Sequence, residues 1–199
     1  MTVGDVRRLV VGMTGASAPI LAIRMLQALQ AAEVETHLVV SRGARRTLAV
    51  EEPAWPLGEV EALADVVHRP EDMAAPIASG SFGGLGMVIV PCSMNALSYV
   101  AHSAAPDLVA RAADVTLKER RRLVLVPRES PLHLGHLRNM VAATELGAIV
   151  LPPVIGTYYR PTSLGDVVDH LVGRVLDLFD IEHDLVRRWA GPPVATGRR

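Results

Sequence analysis

The amino-acid sequence predicts an α/β protein built as one domain around a doubly wound parallel sheet. Short apolar runs rich in Val, Leu and Ile alternate with segments of helical period, and these runs end at Gly, Ser or Pro. The 199 residues suffice for one full core and make a second domain unnecessary. In such sheets, ligands bind beyond the carboxyl ends of the strands.

Five apolar runs are predicted to be strands buried on both faces: residues 8–13, 36–41, 86–91, 122–127 and 148–153. Helical segments are predicted at residues 19–31, 43–50, 94–102, 107–121 and 133–146. A last helix is predicted from Leu164 to Phe179, because its apolar residues follow the helical period and Ser163 with Asp166 forms a near capping box. Prolines and glycines between residues 52 and 85 predict short helices and a mobile Gly/Ser loop.

Composition and charge argue against several classes of protein. The formal net charge of −1 disfavours a dedicated nucleic-acid binder, and the single cysteine, Cys92, excludes an internal disulfide. No apolar run reaches the length of a signal peptide or a membrane span, so we expect a cytoplasmic protein with no membrane contact. With only 4% aromatic residues, the core consists of small aliphatic side chains, which also suits a subunit that buries area against copies of itself.

Small residues follow three of the predicted strands. Gly15-Ala16-Ser17 follows the first strand, Ser41 follows the second, and Ser93 follows the third. One interpretation is structural, with a tight turn at Gly15 and hydroxyl side chains that cap the next helices. The other is that these helix N-termini bind a phosphate or the edge of a flavin. Three such junctions favour an anionic cofactor over coincidental caps.

Later segments supply cations and a carboxylate whose roles the residues alone leave open. Arg128 and Glu129, at the end of the fourth strand, form either a structural ion pair or a phosphate clamp with a proton carrier. Arg174 either extends to water or reaches a ligand anion. Lys118 lies two turns after Arg111 and could pair with Asp114.

His133 and His136, three residues apart, could form half of a metal site. No acidic or cysteine partner follows at ligand spacing, so no metal is expected.

Several stretches, in this order, resemble the UbiX-type flavin prenyltransferases, which are flavin-binding Rossmann-like (flavodoxin-like) homo-oligomers. The similarity covers nearly all of residues 8–189 and includes "GASA" and "PCSMNALSYVAHS". It is specific because "LKERR", "RESPLHLGHL" and "YYRP" occur in the family's order and at similar separations. It implies one FMN-binding prenyltransferase domain over residues 1–189. The last ten residues, 190–199, follow a segment without periodicity and are expected to be disordered or to lie on a neighbouring subunit.

The resemblance implies a metal-independent transfer of a dimethylallyl group from dimethylallyl monophosphate to N5 and then C6 of reduced FMN. The prenylated FMN would be the cofactor of a UbiD-type decarboxylase. The enzyme itself would be a homo-oligomer, and the family suggests a dodecamer. By similarity, the residues that hold FMN are Gly15, Ala16, Ser17, Ser41, Ser93, Met94, Asn95, Ala96 and, from an adjoining subunit, Arg111. Those around the prenyl phosphate are Lys118, Arg128, Glu129, Tyr158 and Arg174. Ser17, Glu51, Lys118, Arg128, Glu129 and Trp189 are the expected catalytic residues.

The residue types suit this chemistry, because cations stabilise a departing phosphate and the indole face of Trp189 attracts an allyl cation. Glu129 or the leaving phosphate would accept the proton that is lost when the new ring closes. Two positions depart from the family pattern. Ala18 stands where the family usually has Gly, and Asn95-Ala96 stands where many members have Lys-Thr, so a positive charge is lost beside the cofactor.

Two other functions remain open at this stage. A flavin-dependent peptidyl-cysteine decarboxylase would be expected to have a histidine in the first helix, and residues 18–31 contain none. A non-catalytic FMN-binding accessory subunit of a decarboxylase is compatible with the loss of the lysine at Asn95.

Overall fold

The structure, a computed structural model, describes residues 7–186, 188 and 191. Its sheet has six strands, all parallel, in the order β3-β2-β1-β4-β5-β6. The strands are β1 (Arg8–Met13), β2 (Glu35–Val40), β3 (Val66–His68), β4 (Gly86–Cys92), β5 (Arg122–Pro127) and β6 (Ile149–Val150). The strand order reverses between β1 and β4, so the prediction of a doubly wound parallel sheet is confirmed.

Helices connect the strands at the positions that the helical periods predict, with ends that differ by a few residues. They are α1 (Ile20–Ala31), α2 (Arg42–Glu51), α3 (Leu57–Glu61), α4 (Met94–Ala101), α5 (Leu108–Lys118), α6 (Leu134–Glu145) and α7 (Leu164–Asp177), with a 3₁₀ turn at Pro76–Ala78. The near capping box of α7 is complete, since the Ser163 side chain accepts from the Asp166 N–H and the Asp166 carboxylate accepts from the Ser163 N–H.

Strand β3 is missed by the sequence analysis, which predicts only short helices and a loop in that region. It is a three-residue edge strand, with Val66 and Val67 partly exposed, and its sequence carries no long apolar run. Its register is set by pairing with β2, where Val66 lies opposite His37 and His68 opposite Val39. The predicted last strand is also too long, because only Ile149 and Val150 pair with β5.

The two faces of the sheet bury separate cores. Leu9, Val11 and Met13 of β1 pack with α1 and α7 on one face. On the other face, Met87 and Ile89 of β4 pack with α4 and α5. Residues along β1, β2, β4 and β5 alternate between these cores, which explains why these strands are continuous apolar runs in the sequence.

The carboxyl ends of β1, β2 and β4 bring the three predicted polar junctions to one edge of the sheet. The Ser41 N–H donates to the Met13 carbonyl at 3.0 Å, so the ends of β1 and β2 lie side by side. Among the described residues, no helix has the length and apolar character needed to cross a membrane. The predicted site residue Trp189 and the tail at 190–199, apart from Gly191, lie outside the described residues.

Candidate active site

A cavity of about 310 Å³ lies at the edge of the sheet where β1 and β4 end. Its volume is at the lower end of the range for small-molecule sites. The cavity is lined by the predicted cofactor residues Gly15, Ser41, Ser93, Asn95 and Ala96 and by eight other residues of the described chain. These are Thr14, Arg42, Gly43, Ile89, Tyr99, Asp107, Val109 and Ala110.

Thr14 joins two of the strand ends that form the cavity floor. Its hydroxyl donates to the Pro91 carbonyl at 2.8 Å and accepts from the Ser93 N–H at 2.8 Å. Thr14 is buried, so these hydrogen bonds hold the start of α4 against the end of β1. The sequence analysis does not single out Thr14, although its position directly after the first strand could have suggested it.

Two glycine backbones meet at the rim of the cavity. A Cβ on Gly15 would lie 2.9 Å from both Cα and the carbonyl carbon of Gly43, which is too close for any side chain. The turn after β1 therefore touches the first turn of α2. Gly43 is a second residue that the sequence analysis misses, and its signal is the small residue two positions after Ser41.

Glu51 holds the turn after β1 from its other end. Its Oε2 accepts from the Ser17 hydroxyl and from the Ala18 N–H, each at 2.9 Å. The expectation that Ser17 caps the first helix is therefore wrong, because α1 begins after Pro19 with no side-chain cap and the Ser17 hydroxyl is bound to Glu51. The pairing of Glu51 with Ser17 puts two of the predicted catalytic residues in contact.

Three helix N-termini open onto the cavity. Ser41 caps α2 and Ser93 caps α4, as the sequence predicts, each accepting from a backbone N–H three residues later at 3.2 Å. The third, which the sequence analysis does not identify, is Asp107, whose carboxylate accepts from the Ala110 N–H at 2.9 Å at the start of α5. Converging N-termini give this edge of the sheet a positive potential suited to an anionic ligand.

The remaining cofactor candidates flank the cavity. Ala16 is buried in the turn, and Met94 is the first residue of α4 and packs against the core beneath that helix. Arg111 lies one turn into α5, where its guanidinium donates to Asp114 at 2.9 Å and to the Ala78 carbonyl at 3.3 Å. Arg111 thus does not line the cavity of its own chain.

Lys118 lies near the opposite edge of the sheet, where the strands begin. It is the last residue of α5, four positions before β5, and it pairs with Glu119 beside Gly80 rather than with Asp114. A second cavity of about 370 Å³ is lined by Lys118 and shares the lining residues Tyr99 and Ala110 with the first cavity.

Arg128 and Glu129 follow β5 at the same edge of the sheet as the first cavity, and both are exposed. The Glu129 carboxylate accepts from the Ser130 N–H at 3.0 Å.

Tyr158 and Arg174 lie in a third place, around α7. The Tyr158 hydroxyl is 3.0 Å from His170 Nε2, and Arg174 follows His170 by one helical turn and pairs with Asp177 at 2.8 Å. Arg122, at the start of β5, contacts the Leu178 carbonyl after α7, so Arg174 lies toward the edge where the strands begin. One chain therefore does not bring Arg174 to Arg128.

Two other reactive groups take no part in the cavity. Burial raises the pKa of Cys92 to about 12, which keeps its thiol protonated. The ring centroids of His133 and His136 lie 3.6 Å apart, and the two rings are tilted by 35° to each other. Across the described part of the chain, no three His, Cys, Asp or Glu side chains converge as a metal-binding group.

Comparisons with known proteins agree on one family. A sequence model of the flavoprotein family matches residues 4–176. The chain is 55% identical to the flavin prenyltransferase UbiX of Escherichia coli K12 over 188 residues, which cover 93% of this chain and 99% of that protein. This chain belongs to the UbiX family of flavin prenyltransferases.

Solved structures of UbiX-type proteins have the same fold. The crystal structure of AnUbiX (PadA1) in complex with FMN and dimethylallyl pyrophosphate superposes with a TM-score of 0.91, at 50% identity, over 93% of this chain and 98% of that chain. The dodecameric FMN-dependent UbiX-like decarboxylase of Escherichia coli O157:H7 gives a TM-score of 0.89, at 49% identity, over 92% of this chain and 100% of that one.

Within this UbiX chain, the two departures from the family pattern have visible consequences. Ala18 has a φ of 70°, in the left-handed region that favours glycine. The Asn95 amide donates to the Tyr99 hydroxyl at 3.2 Å, and both side chains line the 310 Å³ cavity. A neutral hydrogen-bonded pair thus stands at the position where, by the resemblance, many family members have a lysine.

Proposed function

We infer that this chain is a flavin prenyltransferase that transfers a dimethylallyl group from dimethylallyl monophosphate to reduced FMN. The observation that carries the inference is the 55% identity to the Escherichia coli enzyme over 93% of the chain. The cavity at the carboxyl ends of β1 and β4 supports it independently, because a doubly wound sheet binds its ligand at that place.

The cavity residues fit FMN as the flavin substrate. The Gly15–Gly43 contact leaves no room for a side chain at Gly15, and the N-termini of α2, α4 and α5 are directed at one place, as a phosphate requires. Gly15, Ala16, Ser17, Ser41, Ser93, Met94, Asn95 and Ala96 would hold the cofactor. Reduced FMN, when bound, supplies the N5 and C6 atoms to which the dimethylallyl group becomes attached.

The remaining site residues would come from neighbouring copies of the chain. Lys118 and Arg174 lie toward one edge of the sheet and Arg128 at the other, so a site that contains all three must draw on more than one subunit. Arg111 would also reach the FMN of an adjoining subunit. The AnUbiX complex with a prenyl donor and the dodecameric relative support this arrangement.

An exposed apolar face on α6 supports an oligomer. Leu134, Leu137 and Val141 are 59%, 46% and 58% exposed, and at this spacing they lie on one side of the helix. An apolar stripe of this kind on a surface helix marks a contact with another molecule. We propose that copies of this chain cover it in a dodecamer.

Cations and carboxylates would divide the work of the transfer. Lys118, Arg128 and Arg174 would stabilise the departing phosphate, and Tyr158 would donate to it. Glu129 would accept the proton that is released at ring closure, and Trp189 would face the allyl cation. Glu51 would keep Ser17 and the turn in place beside the flavin, because both the Ser17 hydroxyl and the Ala18 N–H donate to it.

The product, prenylated FMN, would be consumed by a decarboxylase of the UbiD type. We place the enzyme in the cytoplasm and treat residues 1–189 as its single functional domain. The decarboxylase partner and the single domain follow from the family resemblance, and the location is the expectation drawn from the sequence.

The proposed function is tested by incubating the purified protein anaerobically with reduced FMN and dimethylallyl monophosphate and measuring the flavin mass. A flavin heavier by one C5H8 unit is expected. An unmodified flavin would favour the accessory subunit, and decarboxylation of a cysteine-terminated peptide would favour the peptidyl-cysteine decarboxylase.

Arg174→Ala tests the phosphate assignment. It should abolish prenyl transfer while the protein still binds FMN, because Arg174 is assigned to the prenyl phosphate and is not among the residues proposed to hold FMN. Arg24→Ala is the matched control, since Arg24 also pairs with an aspartate of α7, Asp169, but has no proposed role. Turnover by Arg174→Ala at the rate of the control would contradict the assignment.

A further inference from the structure

The side chain of His170 contacts Tyr158, and the proposed function gives it no role. His170 is 7% exposed and stacks on the ring of Tyr159, with centroids 4.0 Å apart and an interplanar angle of 14°. Its Nε2 lies 3.0 Å from the hydroxyl of Tyr158, whose side chain is half exposed. The imidazole is thus clamped between one tyrosine ring and the hydroxyl of another.

The imidazole carries a single proton at neutral pH. Burial and the charge of Arg174 lower the pKa of His170, while Asp177 acts in the opposite direction. A neutral imidazole bears its proton on one nitrogen only, and the second nitrogen is then an acceptor. The position of that proton decides what the Tyr158 hydroxyl can do.

The surroundings of the two ring nitrogens favour the proton on Nε2. Nδ1 is buried and has no hydrogen-bond partner among the described residues, whereas Nε2 faces the Tyr158 oxygen. A buried N–H without an acceptor costs the full desolvation of the donor, so the proton belongs on the nitrogen that has a partner. With Nε2–H as donor, the Tyr158 oxygen is the acceptor and its own O–H is directed away from His170.

We propose that His170 is a positioning residue that donates through Nε2–H to Tyr158 and thereby turns the Tyr158 hydroxyl hydrogen toward the phosphate of the prenyl donor. The proposal rests on the proposed function, in which Tyr158 and Arg174 bind that phosphate. With the opposite tautomer, the Tyr158 O–H would be directed at the imidazole and would present only lone pairs to a phosphate oxygen, which also has only lone pairs.

Two substitutions separate the hydrogen bond from the ring stack. His170→Phe keeps a flat ring against Tyr159 but removes the N–H donor, and His170→Gln keeps an N–H donor at the position of Nε2 but removes the stack. His102→Phe is the matched control, because His102 is exposed, its Nδ1–H donates to the Ser98 carbonyl at 2.8 Å, and it has no proposed role in the site. Tyr158→Phe removes the hydroxyl itself.

The measurement is calorimetric titration of dimethylallyl monophosphate into the oligomer loaded with oxidised FMN, which cannot be prenylated, so that donor binding is read without turnover. His170→Phe and Tyr158→Phe should each raise Kd roughly fivefold to tenfold, the effect of one hydrogen bond. The double variant, His170→Phe with Tyr158→Phe, should bind the donor no more weakly than either single variant. His170→Gln and the control should stay within about twofold of the unmodified protein.

Steady-state assays with reduced FMN should show the same pattern in KM, with kcat little changed. If Tyr158→Phe weakens binding and His170→Phe does not, the positioning role is refuted while the proposed function stands. Equal weakening by His170→Gln and His170→Phe would also refute it, because a retained N–H donor would then make no difference to donor binding. If the Kd values of the variants follow this pattern but the unmodified protein yields no prenylated flavin, the proposed function fails and the positioning role is upheld.

Discussion

Replacing Ala18 by glycine should stabilise the protein, although it removes a methyl group. Ala18 has a φ of 70°, and its N–H donates to Glu51, so the turn holds an L-residue in the left-handed region. Such a residue costs about 1–2 kcal/mol relative to an ordinary conformation. Glycine has no such cost, because it populates positive φ about as readily as negative φ.

The net effect is smaller than the strain. Glycine gains freedom in the unfolded chain, which offsets about 0.4–1 kcal/mol. The lost methyl group, half-buried against the core that α1 covers, removes a few tenths more. We therefore expect Ala18→Gly to raise the free energy of unfolding by about 0.5 kcal/mol and Tm by about 1–2 °C.

Urea unfolding at one fixed protomer concentration measures this change, because the stability of an oligomer depends on concentration. Ala16→Gly is the matched control. Ala16 is buried in the same turn at negative φ, so its substitution should destabilise the protein by about 1 kcal/mol. A loss of stability in Ala18→Gly comparable to that of the control would refute the strain argument.

Three further predictions concern other parts of the chain. Gly15→Ala should destabilise the protein by more than about 2 kcal/mol and weaken FMN binding, because the new Cβ would meet Gly43 at 2.9 Å. The control is Gly58→Ala, in open space within α3, which should be neutral or stabilising in the same urea titration. Asp166→Asn should lower Tm at pH 7, because hydrogen bonds from Thr162 and Ser163 lower the pKa of Asp166 to about 2 and so stabilise the folded protein when this carboxyl is ionised. This stabilisation is present above pH 4 and is lost between pH 4 and pH 2, so the Tm values of the variant and the unmodified protein should converge over that range. A difference in Tm that stays constant with pH would contradict the prediction. Cys92 should resist iodoacetamide in the folded protein at pH 8, because burial raises its pKa to about 12, and labelling as fast as in urea would contradict this.

The strands and most helices follow from the sequence because each is a local pattern. Apolar runs of five or six residues between helical periods define β1, β2, β4 and β5, and the small residues after β1, β2 and β4 mark the carboxyl edge of the sheet. Strand β3 has no such pattern. Its three residues become a strand only because β2 offers an unpaired edge, which is a property of the tertiary structure.

The site is predictable where it depends on chain connectivity and not where it depends on distant contacts. Gly15, Ser41 and Ser93 meet because parallel strands end at one edge. The link between Ser17 and Glu51 joins residues 34 positions apart in sequence, and no local pattern shows it. In the proposed oligomer, bringing Lys118 and Arg174 to Arg128 depends on how copies of the chain assemble, which helical and strand periods do not encode.

The most direct test of the account is a crystal structure of the protein grown with FMN. We predict that the FMN phosphate lies at the N-termini of α2 and α4, with the isoalloxazine against the turn at Gly15–Ser17. A flavin bound instead in the 370 Å³ cavity beside Lys118 of the same chain, with the turn after β1 untouched, would contradict it.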